Sequence, residues 1–226
     1  MSTDRSQTLA TGNDGFVSAV GDHVEKHFGT VAGIYHELLS VYVHVDLYIV
    51  RPTKKRPVTT VVTCGMSQRP LPDGRHAELM LVLPPAWPTL GDPGFETPAG
   101  FWPYRLLKEL ARFPHEYGTV LWGGHTIPNG DPPRPYGPNT ELCGALLGPI
   151  VHAESASAHT ISHDGCDINL FAVWLLHADE MAFELEHGAG ELFDLLDQAG
   201  VSELVHADRH SAAEPPRRRR RIFRRQ

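Results

Sequence analysis

The sequence predicts a mixed α+β domain, on three observations. Two runs dense in β-branched and aromatic residues, VYVHVDLYIV and VTTVVTC, are joined through RPTKKRP. A further run, RHAELMLVLPP, alternates while keeping apolar residues on both faces. Other stretches place apolar residues at helical spacing, most clearly WPYRLLKELARFP.

Taken in order, Asn13 or Asp14 can cap a first helix in which Phe16, Val20, Val24 and Phe28 recur on one face, with Gly29 as the stop. The two β-rich runs read as a hairpin. In the third run Ala77, Leu79, Leu81 and Leu83 share one face and Glu78, Met80 and Val82 the other, the pattern of a central strand covered on both sides. Pro103 suits the first position of the long helix, Leu106, Leu107, Leu110, Ala111 and Phe113 form its apolar stripe, and Pro114 ends it. YGTVLWGG and ELCGALLGPI then read as strands entering and leaving a loop. HTISHDGCDINLFAV reads as a second hairpin turning on Asp164 and Gly165. Helical segments follow at 179–186 and 191–198, and Gly200 ends the second.

These elements define one domain over residues 14–208, between a disordered N-terminus (1–13) and a disordered Arg-rich C-terminal tail (209–226). Pro215 and Pro216 set the arginines apart from the fold. The formal net charge is −7, but RRRRRIFRRQ alone holds seven arginines. The remaining chain carries 13 basic against 27 acidic residues, about −14. Such a body repels phosphate backbones and suits cationic proteins or peptides. Binding to nucleic acid or an anionic surface is expected only through the tail.

Cys64, Cys143 and Cys166 form no CxxC pair, which argues against a disulfide framework and a structural zinc site. No apolar run approaches the roughly 18 residues of a membrane span, and the N-terminus lacks a leader's apolar core. A cytoplasmic protein is expected. There is no GxSxG elbow, HExxH or phosphate-binding glycine fingerprint, so no catalytic residues, cofactor or metal are assigned. His44 and Asp46, two apart on an expected strand, offer only a partial metal site; with His125 they support an alternative reading as a metal-dependent hydrolase.

The remaining candidate is the loop WGGHTIPNGDPP at 122–133. Pro128, Pro132, Pro133, Pro135 and Pro138 stiffen it and lower the entropy lost when it binds something. Asn129, Gly130 and Asp131 are also ordinary turn formers.

The words HVDLYIV, TCGMSQRP, AELMLVLPPAW, FWPYRLLKELARFPHEYGTVLWGGHTIPNGDPP and FELEHGAGELFDLL, in this order, resemble the suppressor of fused family in its bacterial single-domain form. The resemblance covers about residues 15–205. It implies an α+β fold, a mixed, mostly antiparallel curved β-sheet packed with helices, and a protein-binding role without enzymatic activity. It further implies a bacterial immunity protein or regulator whose partner is another polypeptide, such as a toxin of a polymorphic secretion system. Only one such domain fits the length, so the two-domain clamp of the animal members does not carry over. The family's Gly-x-His matches Gly124 and His125, followed by Asn129 and Asp131. These four, with Trp122 and Tyr136 as apolar anchors, are the expected partner-binding residues. Trp102, Arg105 and Phe113 are expected to serve folding.

Overall fold

The computed structural model describes residues 14–37 and 42–213. The expected disordered N-terminus and residues 214–226 of the expected tail lie outside the described residues. Twelve regular elements follow in order: α1 (Asp14–His27), β1 (Val31–Tyr35), β2 (Asp46–Val50), β3 (Thr59–Cys64), β4 (His76–Leu83), α2 (Pro98–Tyr117), β5 (Thr126–Pro128), β6 (Gly144–Gly148), β7 (Thr160–His163), β8 (Cys166–Leu176), α3 (Ala178–His187) and α4 (Ala189–Gln198).

The strands form one sheet in the order β1-β2-β3-β4-β8-β6-β5, with β7 added beside the first half of β8. Only β4 and β8 run parallel; every other pair is antiparallel. The sheet is therefore mixed and mostly antiparallel, packed with helices, as expected. Its two faces carry separate cores. Ala77, Leu79, Leu81 and Leu83 of β4 pack with Trp102, Tyr104 and Leu107 of α2 on one side. Met80 and Val82 pack with Val20 and Val24 of α1 and Leu192 and Leu196 of α4 on the other. Strand β4 is thus covered on both faces, as its two-sided apolar pattern predicts.

The hairpin β2–β3 and the hairpin β7–β8 form where expected. Asp164 (φ 48°) and Gly165 (φ 76°) both take the left-handed conformation that a two-residue turn requires. Several boundaries differ from the sequence reading. Strand β2 starts only at Asp46, so His44 precedes it. Strand β1 has no strong alternation and forms by pairing with β2 through a register shift between Val31 and Gly33. Helix α2 starts five residues before Pro103: the Thr97 hydroxyl caps Gly100 N–H and Pro98 takes the first turn. Pro114 lies inside α2, which closes one turn later when Gly118, at φ 61°, donates its N–H to the Pro114 carbonyl.

YGTVLWGG does not form a strand. Tyr117 closes α2, and the remainder runs as irregular chain toward β5, which starts two residues further on. The packed chain also continues past residue 208. Arg209 makes two hydrogen bonds to the buried Glu180 carboxylate, at 2.6 and 2.5 Å, and donates to the Leu175 carbonyl at 2.7 Å. Ala212 N–H donates to Glu180 at 2.7 Å. A buried acid at the start of α3 thus draws the first residues of the expected tail into the domain.

Candidate functional site

The proline loop connects β5 to β6 at the edge of the sheet. Its stiffness comes as much from tertiary contacts as from proline. Tyr136, 4% exposed, lies parallel to the Trp102 ring, with centroids 5.9 Å apart and 9° between planes. Arg105 of α2 donates to the Tyr136 carbonyl at 2.9 Å, and Trp102 Nε1 donates to Asn139 at 3.2 Å. Gly137 passes so close that a Cβ there would lie 2.3 Å from the Trp102 ring. Tyr136 is therefore no exposed anchor; it is the core residue that holds the loop to α2.

The other expected binding residues divide by exposure. Trp122 is half-buried, with Phe171 edge-on at 4.9 Å and the Arg75 guanidinium over its ring at 3.4 Å. Gly124, at φ 85°, donates its N–H to the Leu147 carbonyl, so it serves the backbone path into β5. Asn129 braces the loop internally, its Nδ2 donating to the Arg134 carbonyl at 2.6 Å. His125 and Asp131 are exposed. His125 Nδ1 lies 3.2 Å from the Val120 carbonyl, so the neutral ring donates there and leaves Nε2 as an acceptor toward solvent.

Strand β5 is the last strand of the sheet. The bonds from Leu147 N–H to His125 and from Asn129 N–H to Cys143 turn the backbone of residues 125, 127 and 129 toward β6. By the alternation of an antiparallel ladder, Thr126 N–H and C=O and Pro128 C=O face the open side. The Thr126 hydroxyl is buried without a hydrogen-bond partner among the described residues.

Beside this edge lies a groove of about 710 Å³. Ile127 and Pro128 form one wall, the C-terminal end of α2 with Phe113 another, and α3 a third. The α3 wall is the stripe Ala178, Met181, Ala182 and Leu185, spaced i, i+3, i+4, i+7 on one helix face. Met181 is buried at the floor, whereas Leu185 is 85% exposed, an apolar side chain with no cover. Glu184 is the one acid in the lining, and no lysine or arginine among the described residues lines it. Of the expected site residues only Gly124 and His125 reach this groove. The α3 stripe was missed, although its spacing and the leucine between Glu184 and Glu186 carry a signal.

His125 is not brought to His44 and Asp46. Asp46 receives His44 Nε2 at 3.0 Å, His36 Nδ1 at 2.9 Å and Glu37 N–H at 2.9 Å, a closed cluster at the start of β2. His125 precedes β5, five strand positions away across the sheet. At the usual strand spacing that is on the order of 20 Å. Among the described residues no group of three His, Cys, Asp or Glu side chains could hold a metal ion. No described helix is long and apolar enough to cross a membrane.

The motif words explain themselves in part as packing. Glu78 is fully buried and accepts Thr63 Oγ1 at 2.5 Å, Ser67 Oγ at 2.6 Å, and the N–H groups of Gly65 and Ser67, both at 2.9 Å. One carboxylate thus ties TCGMS to AELM. Burial pushes its pKa up, while the four donors oppose that shift. Gly65, at φ 130°, is required there, because a Cβ would lie 1.9 Å from the His44 carbonyl oxygen.

A helix-covered mixed sheet with one open edge beside an apolar groove defines an α+β domain of a known architecture. It is shared with a suppressor of fused homologue from Neisseria gonorrhoeae at 18% identity and a TM-score of 0.64, covering 90% of this chain and 100% of the other. A chain in the Sufu–Fu complex is similar at 14% identity and 0.62, covering 87% and 92%. Drosophila Suppressor of Fused is similar at 14% identity and 0.58; 92% of this chain spans 52% of that protein. No curated protein matches in sequence. The suppressor of fused protein family model matches residues 42–210, and the chain belongs to that family.

Proposed function

We propose that this chain is a non-enzymatic protein-binding domain. Its partner lays an extended segment along the open edge of β5 and seats apolar side chains against the α3 stripe. One coincidence carries the reading: an unpaired sheet edge and the uncovered Leu185 face border the same groove. Strand addition supplies main-chain hydrogen bonds, and the adjoining pocket supplies selectivity. A chain of the same fold was solved in a Sufu–Fu complex, which supports this use. His125 and Asp131, exposed on the segments that frame β5, are the polar contacts.

The acidic body favours a basic polypeptide, since opposite charge steers encounter. A bacterial immunity protein or regulator that captures a toxin in the cytoplasm fits this chemistry. The test is affinity capture from the native host with the wild-type chain and with Leu185→Asp. A partner retained by the first and lost by the second, at equal melting temperature, supports the groove. A partner retained equally by both would move the interface elsewhere.

A further inference from the structure

At the edge of the sheet opposite β5, strand β1 pairs only with β2 among the described residues, and a pocket of about 600 Å³ lies between it and α2. Ile34 and Tyr35, neighbours in β1, both line it although they pack on opposite faces of the sheet, so the pocket runs along the strand edge itself. Phe101 in the first turn of α2 and Leu90 complete an apolar wall. The Tyr35 and Phe101 rings meet edge-on with centroids 5.5 Å apart, and Leu90 is 37% exposed. A cavity of this size and lining suits a small apolar body.

One cation in this lining is left over. Arg112 is paired with Glu37, whose other oxygen accepts Val45 N–H at 2.8 Å, and Arg105 lies 3.7 Å from Glu109. Lys108 is only 6% exposed, yet among the described residues its ammonium makes no hydrogen bond or ion pair and lies over the Tyr35 ring, 4.6 Å from the centroid. Burial pushes its pKa down, and the nearby Glu37 carboxylate opposes that shift. A charge removed from water without an acceptor is costly, and a carboxylate oxygen placed against it offsets that cost through a charge-assisted hydrogen bond. Glu37 and Glu109 penalise a second negative charge in the same pocket, which favours a single carboxylate over a phosphate dianion.

We propose that the pocket between β1 and α2 binds a carboxylate borne on an apolar or aromatic body, with Lys108 donating to the carboxylate and Tyr35 and Phe101 packing on the body. The carboxylate belongs to a small organic acid or to the C-terminus of a peptide, since both present the same chemistry. The site lies at the other end of the sheet from the β5 groove and does not depend on it.

The test is heteronuclear NMR titration of the full-length chain with 3-phenylpropanoate, with its neutral amide, and with N-acetylated Gly-Gly-Phe carrying either a free or an amidated C-terminus. The acid should shift amides at 33–36 and 105–112, and its amide should bind about tenfold or more weakly. Lys108→Met should abolish this preference while keeping or raising the melting temperature, because it removes an unpaired buried charge. A merely structural lysine would give the reverse: a lower melting temperature with the preference intact. No binding, equal binding of acid and amide, or shifts confined to the β5 groove would each overturn the proposal, and all three are read on the wild type if the variant does not fold. Tighter binding of the free-carboxyl tripeptide than of 3-phenylpropanoate assigns the ligand to a polypeptide terminus, and the opposite order assigns it to a small acid. Capture of a partner through Leu185 is untouched by any of these results, so the two readings fail separately.

Discussion

Tyr136 lies flat on Trp102, with ring planes 9° apart, and this stack joins the proline loop to the longest helix of the fold. A loop residue that looks like an exposed anchor is in fact the loop's foundation. Tyr136→Ala is expected to cost about 3–5 kcal/mol, as for other buried aromatic truncations. Asp131→Ala and His125→Ala, both exposed, should change stability by no more than about 0.5 kcal/mol. They should weaken the captured partner by about tenfold or more, ~1.4 kcal/mol each. Urea denaturation and titration calorimetry separate the two effects; equal destabilisation by all three would assign the whole loop to folding.

The turn at Gly65 depends on a single carboxylate. Glu78→Ala leaves two backbone N–H groups and two hydroxyls without their acceptor in a site closed to water. The expected loss is on the order of 3–5 kcal/mol. Gly65→Ala should not yield a folded protein, since its Cβ would overlap the His44 carbonyl. Recovery of folded, monodisperse Gly65→Ala would refute this account of the motif.

Arg209 and Glu180 make a buried ionic contact on which folding rests. The Arg209 side chain is 10% exposed and that of Glu180 0%, so removing the arginine strands a charge in the interior. Arg209→Ala is expected to cost about 3–5 kcal/mol. The pair Arg209→Ala with Glu180→Gln should cost less than Arg209→Ala alone, because the stranded charge is gone. Chemical denaturation of the wild type and the two variants measures this, and amide exchange over residues 209–213 should rise in both variants.

His23 and His115 are each 8% exposed, and burial lowers both pKa values below 6.5. A depressed histidine pKa means that the unfolded chain binds more protons than the native one between the folded value and 6.5. Stability contributed by each neutral ring is therefore present above pH 6.5 and lost as pH falls toward the folded pKa. His115 Nε2 also donates to the Met66 carbonyl at 3.1 Å. Urea midpoints at pH 7.5 and 5.5 should differ more in the wild type than in His115→Gln. An unchanged difference would show that His115 contributes nothing to acid sensitivity.

The elements legible from residue pattern were those whose burial is set within a few neighbours. The two-sided run of β4, the helical stripes of α1 and α2, and the Asp164-Gly165 turn each carry their own signal. The weakly patterned ones depended on partners: β1 has no alternation of its own and exists as a strand only along β2. The stretch before β5 has β-forming residues, yet α2 continues through Tyr117 and leaves only three residues, Thr126–Pro128, to pair with β6.

The same division holds at the site. Gly124 and His125, which line the groove, could be named as candidates from the unusual words around them. Whether Tyr136 faced solvent or core could not, because its burial depends on Trp102, 34 positions earlier in the chain. The groove itself joins residues from α2, β5 and α3, and its apolar character was invisible until those three lay side by side. Local chemistry settled composition, charge, turns and the period of each segment, since these depend on side chains a few residues apart. Folding alone settled which edge stays open and which helix face stays bare, because both follow from long-range packing, where one residue's exposure is set by which distant residues cover it.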